Sequence, residues 1–145
     1  KIRNALNEGN ILLANKYLGY DYFLTGKVVK GKQLGRTIGF PTANITPKEY
    51  VVLPLNGVYV TKTLVDGVLY PSITNIGTKP TLGEDREVSV ETHLIDFDKD
   101  IYNRSIEVFF INRLRDEKTY SSMEELKEQV TTDIRYARKY HNLFR

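Results

Sequence analysis

The sequence has 145 residues, with 21 Lys and Arg against 18 Asp and Glu for a net charge of +3, 41% hydrophobic residues, and neither Cys nor Trp. Such a composition can fill the core of one ordinary soluble domain, and it excludes disulfide frameworks, thiolate zinc sites and Cys nucleophiles. No apolar run approaches the ~18 residues of a membrane helix, and two His residues far apart in sequence give no ligand spacing for a His-built metal site.

Residues 2–18 place apolar side chains at Ile2, Leu6, Leu12, Leu13 and Leu18, with Gly9 between them. A Gly costs a helix roughly 1 kcal/mol, so two short helices are expected, the second ended by Gly19. From Tyr22 onward β-branched and aromatic residues dominate, and turn residues recur between short runs. Strands are predicted at 22–30, 37–46, 57–65, 68–76, 87–96 and 104–112. Asp66-Gly67 between Val65 and Val68 predicts a two-residue hairpin, because a type I′ turn needs positive φ at both central positions. Six short strands so spaced predict an antiparallel barrel or sandwich. A last helix is predicted at 121–141, with Ser121 and Glu124 at capping-box spacing. Met123, Leu126, Val130, Ile134 and Ala137 share one face of it, which should pack on the barrel.

Charge is unevenly spread. Residues 1–45 hold seven bases against Glu8 and Asp21, so the remaining hundred residues carry a small negative balance. Within that basic third, Gly31, Gly35 and Gly39 recur at spacings of four beside Lys30, Lys32 and Arg36. Such a loop lets backbone N–H groups approach a phosphate and supplies positive charge, although glycines in a β-rich chain also serve turns. It is not a Walker A loop, since the Gly-x-x-x-x-Gly-Lys-Ser/Thr order is absent. After Pro41, Thr42 and Asn44 lie two residues apart on one face of an extended segment. Their neutral oxygens suit Mg²⁺ balanced by nucleotide phosphates, or simply a turn. In Val88–Ile95 the alternation puts Val88, Val90, Thr92 and Leu94 on one face and Ser89, Glu91, His93 and Ile95 on the other. Glu91 is then either a solvated strand residue or, beside a metal-nucleotide, a base for an attacking hydroxyl.

The stretches GRTIGFPTAN, LPLNGVYV at 53–60, NIGTKPT at 75–81, VETHLIDF at 90–97 and LRDEKTY followed by SSMEEL occur in that order. In series they closely resemble bacterial riboflavin kinase modules over about residues 22–141. The opening IRNALNEGNILLANKYLG resembles the end of the FMN adenylyltransferase module that precedes the kinase in bifunctional FAD synthetases. The resemblance implies a six-stranded antiparallel Greek-key barrel with a long C-terminal helix and short N-terminal helices. It divides the chain into linker helices at 1–19, the remnant of the preceding module, and a kinase domain at 20–145. A start at Lys1, without initiator Met or signal peptide, agrees with a chain cut from a longer protein.

The activity it implies is transfer of the γ-phosphoryl of Mg·ATP to the ribityl 5′-hydroxyl of riboflavin, giving FMN and ADP. Glu91 falls on the family's catalytic base, and Thr42 and Asn44 inherit the Mg²⁺ role. ATP binding is implied for Gly31, Lys32, Gly35, Arg36, Gly39, Pro41, Thr42, Leu94, Asp96 and Tyr102, and flavin binding for Arg115, Lys118 and Tyr120. No tightly bound organic cofactor, nucleic acid or membrane partner is implied, and the location is cytoplasmic. Two departures stand out: Tyr120 occupies a position where Phe is frequent, and Tyr20-Asp21 replaces an Arg-Pro common at the module junction. The rival readings are an oligonucleotide-binding barrel, suggested by ten Tyr and six Phe with a basic first third, and a flavin-binding module without catalysis.

Overall fold

The computed structural model describes residues 1–29, 42–47, 51–80 and 86–143. The glycine loop, with Gly31, Lys32, Gly35, Arg36, Gly39 and Pro41, lies outside the described residues, as does the predicted start of the second strand. The described elements run α1 (Ile2–Asn7), α2 (Ile11–Leu18), β1 (Phe23–Val29), β2 (Ala43–Pro47), β3 (Gly57–Val65), β4 (Val68–Pro80), β5 (Arg86–Leu94), β6 (Ser105–Arg115) and a last helix, α3 (Met123–Leu143).

The six strands close into a barrel in the order β1-β2-β5-β4-β3-β6, every pair antiparallel. β3, β4 and β5 follow one another as neighbours and β6 returns beside β3, which is a Greek key. The β3–β4 hairpin closes as its sequence requires. Val65 opposes Val68, and Asp66 and Gly67 take φ of 49° and 82°.

Two strands run past their predicted ends. β4 continues through Gly77 to Pro80, because pairing with Arg86–Ser89 of β5 outweighs its turn-like composition. β6 continues to Arg115 through two register shifts against β3, between Val58 and Tyr59 and between Val60 and Thr61. Such bulges break strict alternation, so a period-2 pattern ends too early at 112.

The barrel has an inner and an outer core. Inside, Leu24, Val28, Ile45, Tyr59, Ile76, Val90, Leu94, Val108 and Phe110 pack together. An unbranched chain of buried hydroxyls, Thr63–Ser72–Thr61–Thr74–Thr92, crosses this interior with contacts of 2.7–3.0 Å, so each of these hydroxyls keeps a partner although it is removed from water. Outside, Val58, Val60, Ile73 and Ile95 meet Ala137 of α3, with Ile111, Leu114 and Ile134 around them.

The N-terminal helices are part of the inner core. Gly9 breaks them with φ of +75°, and a Cβ there would collide with the Arg113 side chain. Asn10 caps α2 by accepting from the Leu13 N–H, and Gly19 ends it in the left-handed region. Ala5, Leu6, Ile11 and Ala14 are buried in the same cluster as Tyr59 and Phe110. Leu6 O accepts from Leu55 N–H at 2.9 Å. Asn15 ties α2 to the barrel on both sides of its carboxamide, donating to Phe110 O at 2.8 Å and accepting from Tyr22 N–H at 2.7 Å. Leu6→Ala is therefore expected to lower stability by about 3 kcal/mol, read from urea unfolding. An unchanged midpoint would place α1 outside the cooperative core.

α3 begins two residues later than predicted and runs two further. Its capping pair is shifted by one: Ser122 Oγ accepts from Glu125 N–H, and Glu125 Oε2 accepts from Ser121 N–H. Ser122 is thus the cap, because Met123 is the first helical residue. Met123 leaves the predicted apolar face and is exposed.

Candidate functional site

Alternation decides which residues of each strand stand outside the barrel. Ala43 and Ile45 turn into the core, which leaves Thr42 and Asn44 on the outer face of β2. Val90, Thr92 and Leu94 turn inward on β5, leaving Glu91 and His93 outside. The strand order then lines up residues that are remote in sequence. Asn44 opposes Glu91, Glu91 opposes Asn75, Asn75 opposes Val58, and Val58 opposes Arg115. One row of outward side chains thus crosses β2, β5, β4, β3 and β6.

A cleft of about 270 Å³ lies over this row, closed on its far side by α3 and the segment 116–120. Asn75, Glu91 and His93 come to it from the strands and Thr42 from the residue before β2; Leu126, Val130 and Asp133 come from α3. Arg115, Lys118 and Tyr120, predicted at the flavin, also line it, as do Thr42 and Glu91. Gly77 leaves room above β4 for the Glu117 carboxylate, which a Cβ there would meet.

The wall formed by α3 is pinned by charge. Arg115 Nε and Nη2 donate to the two oxygens of Asp133 at 3.2 and 2.8 Å, while Gln129 Nε2 donates to Oδ1 at 3.0 Å. Arg115 Nη1 donates to Asp116 O, fixing the start of the covering segment. The two side chains are only 18% and 7% exposed. Burial by itself would lower the Arg115 pKa, but the paired carboxylate outweighs it and holds the guanidinium above its ordinary value.

Two polar atoms of this cleft are buried with no hydrogen-bond partner among the described residues, Asn75 Oδ1 and Tyr120 Oη. Burial raises the Tyr120 pKa, opposed by the Arg115 guanidinium and aided by the Asp133 carboxylate, so the phenol stays protonated at neutral pH. Among the described residues no group of three or more His, Asp or Glu could hold a metal. A cation bound through Thr42 and Asn44 would take neutral oxygen donors from the protein and the rest of its shell from a ligand's oxygens, a donor set that suits Mg²⁺.

Three predicted nucleotide residues lie elsewhere. Leu94 faces the inner core, and Tyr102 is an exposed residue of the turn before β6. Asp96 is held by both terminal nitrogens of Arg138 at 2.6 and 2.7 Å, which lowers its carboxyl pKa. Conversely, Asn75, Glu117 and Asp133, all at the cleft, have no role in the sequence reading. Asn75 lies within NIGTKPT, but its outward orientation becomes legible only once β4 is paired with β5.

A sequence model described as flavokinase, riboflavin kinase, matches residues 18–141. The chain is 40% identical over 146 residues to the bifunctional riboflavin kinase/FMN adenylyltransferase of Bacillus subtilis (strain 168), covering 99% of this chain and 46% of that protein. It is 41% identical over 143 residues to the protein of the same name from Escherichia coli (strain K12), covering 98% and 45%. The chain thus spans a little under half the length of the curated relatives it matches. Among solved structures, one from Streptococcus pneumoniae described as a macrolide-efflux protein aligns with a TM-score of 0.91 at 34% identity, over 94% of this chain and 45% of that one. The riboflavin kinase of Trypanosoma brucei aligns with a TM-score of 0.59 at 27% identity, over 81% and 78%. No helix among the described residues of this chain is long and apolar enough to cross a membrane.

Proposed function

We propose, from the premise that this chain belongs to the riboflavin kinase family, that it transfers the γ-phosphoryl of Mg·ATP to the ribityl 5′-hydroxyl of riboflavin, yielding FMN and ADP. What supports this reading is the position of Glu91 in the cleft, beside Asn44 in register and across from the wall carrying Arg115, Lys118 and Tyr120. Phosphoryl transfer needs positioning and charge neutralisation more than covalent help from the protein.

In this reading Glu91 accepts the proton of the attacking hydroxyl. Thr42 and Asn44 would hold Mg²⁺, whose charge when bound would offset that of the nucleotide's phosphates. The loop around Gly31, Lys32, Gly35, Arg36, Gly39 and Pro41 carries the rest of the nucleotide, with Asp96 and Tyr102 nearer the nucleoside and Leu94, its side chain in the inner core, ending β5 just before Asp96. Tyr120 presents its ring and phenol to the isoalloxazine, and Lys118 and Arg115 border it. The 116–120 segment excludes water from the reacting groups. In this reading the parent protein is cytoplasmic and carries an N-terminal adenylyltransferase module that converts FMN to FAD; what supports the second module is the bifunctional name and greater length of the relatives.

The deciding experiment is chromatography of riboflavin incubated with Mg·ATP and this chain. A new FMN peak is expected, and its absence with folded protein would overturn the reading. Asn44→Ala is expected to raise the KM for Mg·ATP at least about tenfold with little change in the KM for riboflavin, because one oxygen donor to a charged partner is lost. Equal rises in both constants would remove Asn44 from the metal's shell.

A further inference from the structure

Asn75 stands on the outer face of β4 with its Cα opposite Glu91, and it lines the cleft. Its Oδ1 is buried and accepts no hydrogen bond from the described residues. Leaving a buried acceptor unsatisfied costs about 1–3 kcal/mol, so an acceptor at a cleft wall gains from a ligand that brings a donor.

Its neighbours narrow what that ligand can be. Directly opposed residues on adjacent strands carry Cβ atoms roughly 4.5–5.5 Å apart, so the unpaired Asn75 Oδ1 belongs to a carboxamide that neighbours the Glu91 carboxylate. Phosphate oxygens are acceptors too and are disfavoured there; hydroxyl groups are donors and are favoured. A shared Mg²⁺ is also disfavoured. β2 and β4 are separated by β5, which places them about 9.5 Å apart at two strand spacings. Two oxygens on one Mg²⁺ lie within about 4 Å of each other. Side chains standing off the sheet at Asn44 and Asn75 therefore serve different groups.

We propose that Asn75 Oδ1 accepts a hydrogen bond from a secondary hydroxyl of the substrate's polyol chain and so holds the terminal hydroxyl at Glu91. This rests on the riboflavin reading above and adds a selectivity device to it. A site built to bond a hydroxyl discriminates against an analogue that lacks one, because its own polar atom is then left unpaired. Asn75 would make the cleft prefer a flavin carrying a polyol over the bare ring system.

The test compares riboflavin with lumiflavin, which has the same rings and no ribityl chain, by flavin fluorescence quenching with the wild-type chain, Asn75→Ala and Asn75→Ser. In Asn75→Ala the Kd for riboflavin is expected to rise about tenfold and the Kd for lumiflavin to stay within about twofold, with an unchanged KM for Mg·ATP. Asn75→Ser keeps a small acceptor, guards against a folding failure of the alanine variant, and is expected to recover part of the preference. Equal weakening of both flavins, or no weakening of either, would overturn the role of Asn75. A changed Mg²⁺ requirement would assign the residue to the metal instead. If the wild-type chain neither binds riboflavin nor makes FMN, the functional reading itself fails and this proposal with it. An active wild type with an unchanged riboflavin-to-lumiflavin ratio in both variants removes only Asn75.

Discussion

Glu91→Gln is expected to lower kcat by about 10²–10⁴-fold while the Kd for riboflavin stays within about twofold. The two side chains have nearly the same volume, so the substitution leaves the cleft's shape intact. An amide, however, cannot take the proton that the attacking hydroxyl must lose as the new O–P bond forms. The register supports this separation of binding from chemistry: Glu91 sits mid-row between Asn44 and Asn75, whereas the proposed ring contacts at Tyr120 and Lys118 come from the covering segment. Fluorescence titration and FMN production under saturating Mg·ATP measure the two quantities independently. Normal turnover by the Gln variant would remove Glu91 from the mechanism, and a large rise in the riboflavin Kd would recast it as a binding group.

The second large effect is expected at Asp133, where it falls on both stability and substrate affinity. Removing the carboxylate in Asp133→Ala leaves the mostly buried Arg115 guanidinium without its two-point partner and strips Gln129 of its acceptor. Breaking a buried pair on one side costs about 3–5 kcal/mol. Arg115 lines an open cleft, so water can partly replace the lost carboxylate, and the lower end, about 3 kcal/mol, is expected. For a chain of this length that corresponds to a fall of roughly 10 °C in Tm. Because the same pair fixes α3 against β6, the KM for riboflavin should rise more than kcat falls. Asp133→Asn, which keeps the shape and one acceptor, should lose less on both measures. A melting temperature unchanged in Asp133→Ala would mean that the outer apolar contacts of α3 alone hold the helix in place.

Local signals were legible wherever the controlling physics is local. Gly9 predicted the break between α1 and α2, Asp66-Gly67 predicted the hairpin, and the alternation around Glu91 predicted its face, because each depends on backbone freedom or on the period of one strand. The capping pair was misplaced by one residue because Ser121 and Ser122 are chemically equivalent caps, each three residues before a Glu; the structure uses Ser122, directly before the first helical residue Met123. The ends of β4 and β6 were missed for another reason. Gly77 resembles a turn residue until Glu117 is seen lying over it, and the bulges of β6 disrupt the alternation by which a strand is read.

By itself, then, the sequence determined the all-antiparallel class, the helices at either end, and the family to which five ordered motifs point, since these follow from periodicity, turn chemistry and residue identity along the chain. Only the tertiary structure decided that Asn44, Glu91, Asn75, Val58 and Arg115 form one row, that α1 and α2 complete the barrel's inner core, and that Asp133 anchors the wall of the cleft. Those relations run between strands and helices separated by tens of residues. They are set by the Greek-key order and by which face α3 shields from water, neither of which leaves a periodic trace in any single segment.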